Sequence, residues 1–152
     1  MQEKRPALSV AHLTSNLLAG MLLFAASVAY AEGQYIDILP KSAAEIQIVL
    51  DAVEEQLAMP EEQIPPITMM LHGREAKRFL KSEYLNNRSL VDKSAQLSAL
   101  GLIDVKICET WLRRNRHELT ELFPFISPVP FGADELDRLV EEEAYTEFEV
   151  DL

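Results

Sequence analysis

The chain reads as an α/β protein, a three-layer α/β/α sandwich built on a mainly parallel sheet of four to five strands. Three observations predict it. Short β-patterned runs alternate with amphipathic stretches of helical length, the arrangement that crossover connections between parallel strands require. One run, Ile67-Thr68-Met69-Met70-Leu71, is apolar almost throughout, as in a strand covered on both faces. No repeat, low-complexity tract or second domain interrupts the alternation.

The elements follow in order. Residues 1–31 read as a secretory leader: Lys4 and Arg5 supply a positive start, Leu17 to Val28 is mostly apolar, and Ala29-Tyr30-Ala31 matches a signal-peptidase site. The apolar run is shorter than the roughly 20 residues that span a bilayer, so a retained anchor is the weaker reading. Residues 32–152 then form a single domain of 121 residues, enough for one core. Gln34 to Leu39 reads as the first strand, ended by Pro40. Ser42-Ala43-Ala44-Glu45 is a capping box, and Ile46, Val49, Leu50, Val53 and Leu57 follow at helical spacing. Pro60 and Pro65-Pro66 bracket a loop before the Ile67–Leu71 strand, which His72-Gly73 closes.

Arg74 to Leu85 looks helical, and Asn86-Asn87 marks a turn. Ser89 to Leu100 makes another helix with Leu90, Leu97 and Leu100 inward and Gly101 as its stop. Ile103 to Ile107 alternates as a strand and ends at Cys108, and Thr110 to Leu122 is helical with a break near Asn115. Phe125 to Phe131 is the last strand, placed at an edge because Pro128 and Pro130 cannot donate to a ladder. Gly132-Ala133-Asp134 turns into a final helix ending near Tyr145.

Without the leader the chain carries 12 basic and 24 acidic side chains. So acidic a surface repels phosphate backbones and anionic lipid, which excludes nucleic acid and a peripheral membrane role after leader cleavage. The acid excess is densest from Asp134 to Leu152, read as a solvated helix face followed by a frayed tail.

Familiar cofactor chemistries have no support. No Gly-x-Gly-x-x-Gly or Gly-x4-Gly-Lys loop occurs, and no Gly-x-Ser-x-Gly elbow. His72 and His117 lack metal-ligand spacing with Cys or another His, so neither a metal nor a cofactor is expected. Cys108 is the single cysteine and cannot form a disulfide within the chain. It ends one strand as His72 ends another, and the carboxyl edge of a parallel sheet is where reactive groups collect. If those strands are neighbours, Cys108 and His72 are candidate catalytic residues, the helix start after Cys108 favouring a thiolate. Arg113 and Arg114 would add to that effect and Glu109 would oppose it. The alternatives are a buried structural cysteine and a histidine that orders its turn. Trp111 reads as packing or an oligomer contact, and Met69-Met70 as core.

From Ile67 to Tyr145 the chain resembles the DsrE/DsrF-like family of small α/β proteins in sulfur metabolism. The likeness rests on Leu71-His72-Gly73 and on Ile107-Cys108 with Thr110 two places on. Phe123-Pro124 leading through Val129 to Gly132, and Asp134-Glu135-Leu136 with the helix to Ala144-Tyr145, complete it. Where the family often has Gly-Tyr, this chain has Ala144-Tyr145. The resemblance implies a domain that associates as a trimer or hexamer and a cysteine at this strand end that receives and passes on sulfur as a persulfide. Cys108 falls on that position. The best-known relay members act in the cytoplasm, whereas the leader here implies a periplasmic protein. The expectation is therefore a periplasmic homo-oligomer in which Cys108 accepts sulfur from a donor protein or molecule and hands it to an acceptor, with His72 orienting or deprotonating the thiol. A second reading is a non-catalytic binding or assembly module in which Cys108 only packs. A third is a thiol redox component, which would need a partner's cysteine.

Overall fold

The computed structural model describes residues 33–39, 41–61 and 64–150, and the expected leader lies outside the described residues. Strand β1 (Gln34–Asp37) leads into helix α1 (Ala43–Glu55). The strand stops two residues short of Leu39 because Asp37 Oδ1 accepts the Leu39 amide at 2.8 Å and turns the chain. The capping box forms as expected: Glu45 N–H donates to Ser42 Oγ at 3.3 Å, and Ser42 N–H to Glu45 Oε2 at 2.6 Å. Ile46, Val49, Leu50 and Val53 are buried along one stripe. Leu57 falls past the helix end, in a 3-10 turn at Gln56–Ala58, and is exposed.

Strand β2 (Ile67–Leu71) is buried at all five positions. The next segment differs from the expected helix. It forms two 3-10 turns, Arg74–Phe79 and Lys81–Asn86, separated by Leu80 in extended conformation. Leu80, at φ −87 and ψ 149, breaks the helical path, and both it and Phe79 are fully buried; local helical propensity does not decide the segment. Helix α2 (Arg88–Ala99) buries Leu90, Val91, Ser94 and Leu97. Gly101 stops it at φ +74, where glycine is the unstrained residue. Leu100, expected inward, sits at the helix end and is exposed.

Strand β3 (Ile103–Cys108) runs directly into α3 (Glu109–Arg114), which ends at Asn115; only a 3-10 turn at Leu119–Glu121 follows. Strand β4 (Ile126–Val129) precedes α4 (Gly132–Glu143). A further strand, β5 (Thr146–Glu147), was not expected. It pairs with β1, and Phe148 N–H donates to Tyr35 O at 2.8 Å. Phe148 and Val150 pack against the core, so this part of the tail is docked and not frayed.

All five strands are parallel, in the order β4-β3-β2-β1-β5. β4 is an edge, as its prolines demand. Ile36, Met69, Leu71, Val105 and Ile107 join one apolar cluster with the buried stripes of α1 and α2 and with Leu112 of α3. The alternate strand residues face the other way. There Lys106 reaches Glu135 of α4, and Met70 is buried outside that cluster. The chain steps from β1 to β4 in one direction and returns to β5 over the opposite face, which right-handed crossovers require. The α/β/α sandwich thus has three helices on one side of the sheet and α4 on the other.

Candidate functional site

Because β2 and β3 are neighbours with Leu71 opposite Ile107, the residues that follow, His72 and Cys108, emerge side by side at the carboxyl edge. The closeness is visible from Gly132. A Cβ built there would stand 3.3 Å from each of Cys108 Cβ, His72 Cβ and Met70 Sδ. Gly132 opens α4, so the absence of a side chain lets the start of that helix lie directly against both residues.

His72 is bound to β1. Its Nε2 lies 2.8 Å from Asp37 Oδ1, which also accepts the Leu39 amide. The hydrogen bond to Asp37 raises the His72 pKa above its usual value, against the downward pull of burial, and the charges of Asp37 and Glu75 add to the rise. For Asp37 burial acts upward. The hydrogen bonds from His72 and the Leu39 amide, with the charges of His72 and Lys41, outweigh it and hold the carboxyl below its usual range. Asp37, His72 and Cys108 therefore sit at the ends of three adjacent strands, with Asp37 holding the His72 ring. Among the described residues no hydrogen bond joins that ring to Cys108 Sγ, which is engaged by the Trp111 amide. General-base activation of the thiol would need the imidazole to come within hydrogen-bond reach of it.

Cys108 is 4% exposed. Its Sγ accepts the Trp111 amide at 3.4 Å and so caps α3. The two arginines expected to assist the thiol do not reach it. Both lie in the last turn of α3, and Arg113 is engaged with Glu109 Oε2 at 3.4 Å and Thr110 Oγ1 at 3.0 Å. Thr110 in turn donates to Pro130 O at 2.9 Å, tying α3 to the β4–α4 connection. His117 belongs to another cluster: it stacks on Trp111 with ring centroids 5.5 Å apart and bonds Glu121 through Nδ1 at 3.1 Å. Met69 and Met70 are wholly buried. Among the described residues no three His, Cys, Asp or Glu side chains are grouped to hold a metal ion, and no helix is long and apolar enough to cross a membrane.

Sequence reasoning missed Asp37 and Gly132. Asp37 carried a usable signal, a lone acid inside the apolar run Ile36 to Leu39, two residues from the strand's expected end. Gly132 carried none beyond its place before a helix.

No protein-family model and no curated protein sequence matches the chain. Among solved structures it is similar to a protein of unknown function, MTH1491 from Methanobacterium thermoautotrophicum. The TM-score is 0.56 at 16% identity, over 78% of this chain and 99% of that one. The likeness is one of fold alone. It agrees with the parallel α/β architecture, and the chemistry of the site rests on the residues themselves.

Proposed function

We propose that the protein is a thiol-based sulfur acceptor, in which Cys108 takes up sulfane sulfur as a persulfide while the Asp37–His72 pair manages the thiol proton. The observation that carries this reading is the alignment of Asp37, His72 and Cys108 on three neighbouring strand ends. In the reaction the Cys108 proton passes to His72, whose basicity Asp37 raises. The thiolate attacks the outer sulfur of a donor R–S–S⁻, forming a Cys108 S–S bond as the donor's S–S bond breaks. The fragment R–S⁻ leaves with the electron pair, and an acceptor thiolate later removes the outer sulfur by the same step. The leader expected from residues 1–31 and the resemblance to the DsrE/DsrF-like family favour a periplasmic homo-oligomer as the setting.

The test is mass spectrometry of the purified protein after incubation with a sulfane donor. The expected result is the added mass of one sulfur atom, removed by reductant, absent in Cys108→Ser and slowed in Asp37→Asn. A native protein that gains no sulfur and whose Cys108 alkylates only in denaturant would end the proposal.

The burial of Cys108 and its bond to the Trp111 amide favour a second reading, a binding or assembly module in which the thiol is a helix cap. In that case Cys108→Ser leaves assembly unchanged and substitution of Trp111 disrupts it, as size-exclusion chromatography with light scattering would show.

A further inference from the structure

Cys108 is the residue a donor must reach, yet it is 4% exposed, so an element covering it has to move. Two elements cover it. Helix α3 is the firmer: Leu112 belongs to the core, Trp111 packs against that core, and the Trp111 amide donates to Cys108 Sγ. The connection from β4 to α4 is held differently. Gly132 lies against Cys108 and His72, but Pro128, Pro130, Phe131, Ala133 and Asp134 around it are all exposed. Little apolar burial therefore holds the connection down. β4 is an edge strand, and Pro128 and Pro130 have no amide to donate. Among the described residues, two hydrogen bonds hold Pro130–Gly132 to anything outside β4 and α4, and both come from Thr110. Its amide and its Oγ1 donate to Pro130 O, at 3.3 and 2.9 Å. One turn further on α4 is anchored again, by Glu135 on Lys106 and by buried Leu139.

Resting on the sulfur-acceptor reading of Cys108, we infer that Pro130–Gly132 is a strap over the thiol, latched by Thr110, and that local release of this strap admits the donor. Release breaks two hydrogen bonds to one carbonyl, which water replaces at both ends. The strap buries no large side chain of its own, since Phe131 is already 42% exposed. Moving α3 instead would pull Leu112 and Trp111 from the core. Gly132 lies against His72 as well, so the same movement makes room at the thiol and at the imidazole together.

The rate at which iodoacetamide modifies Cys108 tests this, read by mass spectrometry at one pH and at urea concentrations below the unfolding transition. Local release exposes little surface, so the rate should be nearly flat in urea. Access through global unfolding would instead rise with the slope of the whole transition. Thr110→Val, which keeps the shape and loses the Oγ1 bond, should react about fivefold faster. Thr110→Ser keeps the donor and should react as the native protein does. The strap is overturned if the native rate follows the slope of global unfolding, or if folded Thr110→Val reacts no faster than the native protein. If Thr110→Val fails to fold, the urea dependence of the native protein decides by itself. Alkylation reads access without sulfur chemistry, so the two proposals fail separately. A thiol that is reached locally but takes up no sulfur ends the sulfur reading. One that takes up sulfur at a rate with the slope of global unfolding ends the strap.

Discussion

Asp37 and His72 meet at 2.8 Å across the β1–β2 pair, although 35 positions separate them in the chain. The pair makes stability depend on pH in a defined way. His72 has a raised pKa, so its contribution is complete below its ordinary value of 6.5 and is lost as pH rises through the folded value. Asp37 has a lowered pKa, so its contribution is complete above 3.8 and is lost as pH falls through the folded value. Both hold together between those limits. Asp37→Asn should therefore cost most near pH 5, by about 1 kcal/mol for a partly exposed pair, and less above neutrality. Urea unfolding across pH measures the loss, and NMR titration should show the His72 midpoint fall in the variant.

Glu135 joins β3 to α4 by accepting from Lys106 at 2.6 Å and from Arg138 at 2.9 Å. The Arg138 bonds, helped by Lys106 and opposed by burial, lower its pKa from 4.5 to about 2. The stabilisation is present above pH 4.5 and disappears as pH falls towards 2. Glu135→Gln should lower stability by about 1–2 kcal/mol at neutral pH and by almost nothing in strong acid. Denaturant melts at the two pH values check this.

Gly73 and Gly101 both have positive φ, +76 and +74, but their surroundings differ. A Cβ at Gly101 meets nothing within 4 Å, whereas one at Gly73 would lie 2.5 Å from Leu39 Cδ1. Gly101→Ala should cost about 1 kcal/mol for the backbone alone, and Gly73→Ala should cost more. Equal losses in thermal unfolding would contradict the close approach of Leu39.

Gly132→Ala has ordinary backbone but must place its methyl 3.3 Å from three atoms, two of them Cβ atoms fixed to the sheet. It should destabilise the protein by about 1–3 kcal/mol and push the start of α4 off the site. The expected consequence is faster alkylation of Cys108 without denaturant, measured by mass spectrometry over time.

Removing residues 146–152 should lower the melting temperature, because β5 pairs with β1 and Phe148 and Val150 pack on the core. A loss of about 2 kcal/mol or more follows from the apolar area exposed. A solvated tail would leave the melting temperature unchanged.

Local signals made much of the fold legible. Ser42 and Glu45 form their capping box, Gly101 ends its helix, and the apolar run around Met69 and Met70 is the buried central strand. Each depends on a few neighbouring residues. The segment Arg74–Leu85 misled because its helical propensity is local, whereas the folded chain is extended at Leu80 and splits into two 3-10 turns. β5 was invisible because two exposed residues carry no pattern; its existence depends on β1 offering an open edge. Of the candidate site, Cys108 and His72 were readable as strand ends. Their adjacency was conditional on strand order.

The alternation of strand and helix by itself determined a parallel α/β sandwich and brought two reactive side-chain types to strand ends. Period-two and period-3.6 apolar patterns are written in consecutive residues, so they can be read without neighbours in space. Only the tertiary structure decided that β1, β2 and β3 lie side by side, that Asp37 completes a pair with His72, and that Gly132 closes over Cys108. Those relations depend on register and packing between segments tens of residues apart, where no local pattern reaches.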